Sequence, residues 1–161
     1  MKKTLKILAL VLTFVITVAV FTACGTNVNI ENRIMIFVDA EGAIEVVIRD
    51  DGEETTVMIA AGPQTVGQIL DALAAQKEGF VFDTTGNAND RYGRMLNVLG
   101  NLNPGSGEFI GIYLSYHNEV YAFPSDVMVD DISFWFANFG IDQIPVFNGV
   151  TYLFVIQENT W

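Results

Sequence analysis

Hydrophobic and polar positions follow two different periods along this chain, and the change of period separates predicted strands from one predicted helix. Short apolar runs at 34–38 and 44–48 each end in acidic and glycine residues, which is typical of strands closed by turns. Asp51-Gly52 suits the positive φ angles of a tight turn, and an extended pattern resumes at 55–59. The pattern therefore predicts a β-hairpin over 44–59.

A helical period begins after Pro63. Thr65 and Gln68 fit a capping box, in which the threonine hydroxyl accepts the Gln68 amide and the glutamine side chain reaches back. The apolar residues that follow recur at helical spacing on one face: Val66, Ile69, Leu70 and Leu73. Because Gly79 can close a helix in the left-handed conformation, we expect one helix of about three to four turns, packed on a sheet.

Extended patterns return after the helix. They predict a brief strand at 80–82, an extended run at 92–99, a strong strand at 109–116, and a strand at 150–156 that is apolar on both faces and therefore central. Pro124 and the two residues after it break the chain before the very aromatic segment 132–139. A hairpin, a helix and further strands predict an α+β domain, with one main helix packed on a mixed sheet.

The first residues have a pattern of their own. Three lysines within the first six residues precede an apolar run at 7–20, which is typical of a signal peptide. The run is shorter than the roughly 20 apolar residues that a membrane-spanning helix needs. An uncleaved anchor and cleavage after Ala19 are the alternatives to the processing site described next.

Phe21-Thr22-Ala23-Cys24-Gly25 resembles a bacterial lipobox in its last three residues, although Phe21 stands where leucine is usual. We expect cleavage before Cys24 and lipidation of this cysteine, which would place the protein on the outer face of the bacterial cytoplasmic membrane, in the cell envelope. The predicted organisation is a lipoprotein signal peptide at 1–23, a lipidated N-terminus and flexible tether at 24–32, and a single domain at 33–161.

Charge narrows the range of partners. Removal of the leader's three lysines leaves five basic residues against 19 acidic ones, a net charge of −14. A surface of this sign repels phosphate backbones and anionic lipid head groups, so nucleic acid is not expected as a partner and the membrane is reached through lipidated Cys24. Since Cys24 is the only cysteine, no intramolecular disulfide can form.

No residue pattern predicts a reaction, a metal or a cofactor. His117 is the only histidine, and without a second histidine or an available cysteine it cannot complete a zinc site. The acidic residues around Asp51 lack the spacing of a calcium loop. Ser106 lies in a predicted turn without the glycine spacing of a nucleophile elbow. We therefore expect a protein that is not an enzyme.

The remaining signal is a cluster of aromatic residues between 113 and 139. Side chains on a strand alternate between two faces, so these rings cannot all enter one core. Some are expected to line a groove, and the candidate contacts for a ligand or partner are Tyr113, Tyr116, Trp135 and Phe136. The alternative is an ordinary core with scattered surface aromatics.

Several short motifs together resemble the transcobalamin-like C-terminal domain found in bacterial lipoproteins, which is β-grasp-like. They are Thr65-Val66 with Leu70 and Leu73, the stretch 113–118, and the stretch 140–152, and the resemblance covers most of 44–157. Asn118-Glu119 and Asn148-Gly149 depart from the family's turn sequences. The resemblance implies a β-grasp-like fold and fixes no reaction.

The predicted function is a lipid-anchored extracytoplasmic binding or interaction module whose ligand is an unknown small molecule or envelope protein. A cell-surface scaffold that binds another protein or a cell-wall polymer is the alternative. Binding of a cobalamin-type ligand is a more distant one, implied only by the resemblance.

Overall fold

The computed structural model describes residues 26–27 and 31–158. The predicted signal peptide and Cys24 lie outside the described residues. The elements in chain order are β1 Thr26–Asn27, β2 Arg33–Val38, β3 Ile44–Asp50, β4 Glu53–Ile59, α1 Val66–Gln76, β5 Phe82–Thr85, β6 Met95–Leu99, β7 Glu108–Leu114, β8 Ala122–Val129, β9 Ile132–Ala137 and β10 Thr151–Glu158.

Eight of the strands form one curled sheet in the order β1-β8-β9-β7-β10-β2-β3-β4, and β5 and β6 form a separate hairpin. Neighbouring strands of the large sheet are antiparallel, apart from the two-residue pairing of β1 with β8. The predicted central strand is confirmed, because β10 lies between β7 and β2 and four of its residues are buried. The hairpin over 44–59 is confirmed in β3 and β4.

The predicted fold class, an α+β β-grasp-like mixed sheet with one main helix packed on it, is wrong. Strands account for 47% of the described residues and helix for 9%, and the architecture is a curled antiparallel half-barrel. The one helix in the part of the chain that the structure describes has 11 residues and covers only part of one sheet face. The rest of that face is covered by the β5–β6 hairpin and the segment 139–147, so strands and loops take the place that a β-grasp fold gives to its helix.

The beginning of α1 is as the sequence predicts. The Thr65 hydroxyl accepts the Gln68 amide at 3.3 Å, and the Gln68 side chain accepts the Gln64 amide at 2.6 Å. Two further amides at this terminus, those of Val66 and Gly67, donate to carbonyls of the segment 141–144. The helix ends at Gln76, before the predicted Gly79, which lies in the following turn with φ of 76°.

The large sheet has a hydrophobic core on each face. Alternation along the strands sends Ile34 and Phe154 to the first core, with α1, and sends Met35 and Leu153 to the second. The second core is closed by the β8–β9 hairpin, which contributes buried side chains such as Phe134. The sheet therefore curls over its own second face.

An ion pair and an unusual turn hold this curl. The Arg33 guanidinium, at the start of β2, is buried and pairs with Asp130 in the turn between β8 and β9. Asp130 and Asp131 have φ angles of 50° and 63°, the conformation of a tight hairpin turn. The predicted chain break at Pro124 is wrong, because β8 runs through this residue, where the β8–β9 register shifts between Phe123 and Val127. Bulges of this kind accept proline within a strand.

Candidate functional site

The four predicted contact residues lie in different environments. Tyr113 is 2% exposed in the second core, with its ring 5.3 Å from that of Phe136. Burial raises the pKa of Tyr113 to about 12, against a hydrogen bond with Gln157 that lowers it. Trp135 packs against the first core, and Phe136 packs at the margin of the second. Tyr116 is 48% exposed.

Tyr116 is the first ring of a continuous surface row, which we call the aromatic strip. The strip consists of Tyr116, Phe147, Tyr121, Phe139 and Tyr92, whose successive ring centroids are 5.8, 5.8, 6.1 and 6.4 Å apart. These separations lie within the range of favourable aromatic pairs. The guanidinium of Arg91 lies 5.4 Å from the Tyr92 ring and extends the strip with a cation.

Backbone hydrogen bonds fix the loops that carry the strip. The Tyr92 carbonyl accepts from the Gly140 amide at 2.7 Å, and the Tyr121 carbonyl accepts from the Asn138 amide at 2.9 Å. The Phe147 amide donates to the Tyr152 hydroxyl, which itself donates to the carbonyl of Pro145. The backbone that carries Tyr92, Tyr121 and Phe147 is therefore tied to other elements of the fold.

Gly140 is required for this arrangement. A Cβ atom at this position would lie 2.2 Å from the Arg94 carbonyl oxygen and 2.9 Å from that of Tyr92. Only glycine allows the two backbone segments to approach so closely. The hydrogen bond that fixes Tyr92 therefore depends on the absence of a side chain at Gly140.

An ion-pair network lies beside the strip. Asp142 accepts hydrogen bonds from both the backbone and the guanidinium of Arg94, at 2.8–3.2 Å, and Arg94 also pairs with Asp71 of α1. Burial of the Asp142 carboxyl favours its neutral form, but the hydrogen bonds and charge of Arg94 outweigh burial and hold its pKa below the usual value. The network joins α1, the segment before β6 and the segment after β9.

One shallow cleft opens next to the strip. It has a volume of about 370 Å³ and is lined by Ser115, Tyr116, Asn118, Phe147, Asn148, Gly149 and Val150. Its walls combine two rings of the strip with amide and hydroxyl groups. Such a lining suits a small ligand with both an apolar and a polar part.

The other predicted candidates are dispersed. The His117 ring lies 5.7 Å from that of Trp135, and Ser106 is exposed in the turn before β7. Among residues 26–27 and 31–158, no group of three or more histidine, cysteine or acidic side chains is placed to hold a metal ion. No helix within those same residues is long and apolar enough to cross a membrane.

Four residues of the strip are not among the contacts predicted from the sequence: Tyr121 and Phe139 belong to the aromatic cluster at 113–139, and Tyr92 and Phe147 lie outside it. Proximity between loops that are distant in sequence leaves no local pattern. The available signal is an aromatic side chain beside turn residues, in Arg91-Tyr92-Gly93 and Phe147-Asn148-Gly149.

Comparison with protein families, curated proteins and solved structures gives no match to this chain.

Proposed function

We propose that this protein is a non-enzymatic binding module, held on the outer face of the bacterial cytoplasmic membrane by lipidated Cys24, and that its aromatic strip contacts another component of the cell envelope. The observation that supports the proposal most is the exposure of Tyr92 and Tyr116, 56% and 48%, at the two ends of a continuous row of rings. Tyrosine and arginine dominate the energetic centres of protein interfaces.

The backbone hydrogen bonds of the strip support the same proposal. Association costs conformational entropy whenever loops and side chains become ordered on binding. The hydrogen bonds of Tyr92, Tyr121 and Phe147 to neighbouring elements remove part of this cost in advance. An arrangement of this kind favours recognition of a defined partner.

Charge selects among partners. The net charge of −14 that remains without the leader disfavours polyanions, including nucleic acid and anionic lipid surfaces. A neutral or basic envelope protein, or a neutral cell-wall polymer, fits the strip better. The lipid on Cys24 supplies the attachment that the domain's surface charge does not.

A small molecule is the second candidate ligand, and the cleft of about 370 Å³ beside Tyr116 favours it. This volume lies at the lower end of the range for small-molecule sites. A cobalamin-type ligand rests on the resemblance alone. A thermal-shift screen of full-length protein checks the candidate: a stabilising ligand should lose its effect on Tyr116→Ser.

The main experiment measures binding of full-length protein, in detergent micelles, to envelopes isolated from cells that lack it. The double variant Tyr92→Ser with Tyr116→Ser should bind at least about tenfold more weakly, because truncation of an interface tyrosine commonly costs more than 1 kcal/mol. Met58→Ser with Val81→Ser is the matched control, since these side chains are 56% and 54% exposed and lie outside the strip.

The control variant should bind like the unaltered protein. Equal binding by all three proteins would contradict the role of the strip. Equal losses in both double variants would indicate non-specific adhesion of apolar surface and would contradict it as well.

A further inference from the structure

Strand β7 is paired along its whole length on one side only. Its seven residues all pair with β10, but on the other side only Tyr113 and Leu114 pair with β9. The chain after β9 turns away because the Gly140 and Ile141 amides donate to carbonyls of the segment before β6. The first five residues of β7 therefore have no neighbouring strand on this side within the described structure.

The orientation of β7 directs backbone groups into this gap. The Ser115 amide donates to the Thr151 carbonyl, so odd-numbered residues of β7 exchange hydrogen bonds with β10. In an antiparallel strand the alternate residues point their N–H and C=O groups to the opposite edge. Ile110 consequently presents both groups to the gap and has no register partner on this side among the described residues, whereas Ile112 lies directly beside the last register pair, Tyr113 with Phe136.

The gap is an apolar groove of about 210 Å³, which we call the β7–β9 groove. Its lining consists of Met95, Phe109, Ile110, Ile112, Phe123, Phe136, Ala137, Asn138 and Phe139. Met95 and Phe123 are 50% and 58% exposed although large and apolar. A sheet edge flanked by exposed apolar side chains is the geometry that accepts an added strand.

Charge at one end of the groove indicates what such a strand carries. Glu108 and Glu158 are register partners in β7 and β10, and both are exposed. Like charges directly opposite each other are unfavourable. Glu108 accepts the Gly105 amide at 2.6 Å, and neither glutamate takes part in an ion pair within residues 31–158. A cationic side chain placed here would relieve the repulsion.

We propose that the β7–β9 groove binds an extended segment of a partner protein, which adds as a strand to the unpaired edge of β7. Apolar side chains of this segment contact Phe109 and Phe123. A lysine or arginine of the segment lies beside Glu108 and Glu158. This inference rests on the proposed function and makes it more specific, because it names a protein as the partner and an extended basic segment as the part that is recognised. The five residues that have no register partner on this side span about 16 Å, the length of a segment of four or five residues.

The test uses fluorescence anisotropy with full-length protein in detergent micelles. The probe is a fluorescein-labelled hexapeptide of alternating valine and threonine with a lysine at its end. Three matched peptides accompany it: one with N-methylated backbone amides, one with glutamate for lysine, and one of scrambled glycine-rich sequence. The probe should bind at least tenfold more tightly than each of them, because it alone supplies backbone donors, apolar side chains and the cation.

Protein variants locate the site. Phe123→Ser, at an exposed position of the groove, should weaken probe binding at least fivefold, and Glu108→Gln with Glu158→Gln should remove the preference for lysine. Met58→Ser, at an equally exposed position outside the groove, should leave binding unchanged. Thr56→Pro is a second control. The Met58 carbonyl accepts a hydrogen bond from the Gln76 side chain, so the backbone groups of alternate β4 residues, Thr56 among them, point away from β3. Proline at position 56 therefore blocks the β4 edge, at the opposite end of the large sheet.

Three results would overturn the proposal: no binding of the probe, equal binding of the N-methylated peptide, or loss of binding with Thr56→Pro instead of Phe123→Ser. The strip variants separate the two proposals. One outcome would contradict the groove proposal alone: Tyr92→Ser with Tyr116→Ser abolishes envelope binding, Phe123→Ser and Glu108→Gln with Glu158→Gln leave envelope binding intact, and the probe does not bind. The proposed function would then stand without the groove. Probe binding that survives in the strip variant supports the groove independently.

Discussion

Replacement of Gly67 by alanine should destabilise this protein, although the same change within a helix usually stabilises. Gly67 is the second residue of α1, and a Cβ atom there would lie 2.3 Å from the Asp142 Oδ1 and 3.1 Å from the Arg94 Nη2. Asp142 would have to move by about 1 Å to restore ordinary contact. It is held in place by four hydrogen bonds from Arg94, at 2.8–3.2 Å.

The magnitude follows from these contacts. A forced shift in a packed site costs about 1–3 kcal/mol, and the loss of one hydrogen bond to a charged group costs about 1.5–3 kcal/mol. The higher helix propensity of alanine returns at most about 1 kcal/mol. We expect a net loss of about 2 kcal/mol in the free energy of unfolding and a fall of roughly 7 °C in Tm.

Equilibrium urea denaturation, followed by far-ultraviolet circular dichroism, measures the effect as a lower midpoint with an unchanged slope. Ala75→Gly, at an exposed position of the same helix, should cost about 1 kcal/mol through propensity alone. In an Asp142→Ala background, Gly67→Ala should become neutral or stabilising. An unchanged cost of Gly67→Ala in that background would refute the proposed clash with the carboxylate.

Three further predictions concern titration and processing. The pKa of Asp142 is lowered in the folded protein, so the ionised carboxylate contributes to stability at pH values above its ordinary pKa of 3.8, and this contribution is lost as the pH falls below that value. The urea midpoint should therefore fall in acid, and it should fall less in Asp142→Asn. Burial raises the pKa of Tyr113 and Tyr152 to about 12, so the stability of the folded protein should fall as the pH rises from about 10 towards 12. Tyrosinate absorbance of these two residues in the folded protein near pH 10 would contradict this prediction. Cys24→Ser should abolish labelling by radioactive palmitate and release the protein from membranes, and retained label would overturn the lipoprotein prediction.

The parts of the fold that the sequence predicts are those with local signals. The capping residues Thr65 and Gln68 define the start of α1, and Asp51-Gly52 defines the turn of the β3–β4 hairpin. The apolar character of 150–156 on both faces places β10 in the centre of the sheet. Each signal lies within a few residues of the structure that it specifies, so neighbouring chain segments are not needed to interpret it.

The fold class is not predicted correctly from the sequence, because its determinants are distant from one another along the chain. Pro124 indicates a break, yet a bulge accommodates it within β8, and without β8 the hairpin that closes the second core is not predicted. The ion pair that holds the curl joins Arg33 to Asp130, 97 positions away. Alternation along the strands does place the aromatic residues in more than one environment, and one of these is the buried second core around Phe134.

The aromatic strip and the open edge of β7 have the same structural origin. When the chain leaves β9, the Gly140 amide bonds to Tyr92 and the Ile141 amide bonds to Arg94, so this segment follows the loop before β6 instead of β7. The departure leaves Ile110 without a register partner on the β9 side of β7, and it also brings Phe139 between Tyr92 and Tyr121. Because one backbone path creates both surfaces, and Phe139 belongs to each, a partner that adds a strand to β7 would also reach the strip. Two adjoining surfaces of limited size can then act as one interface of larger area.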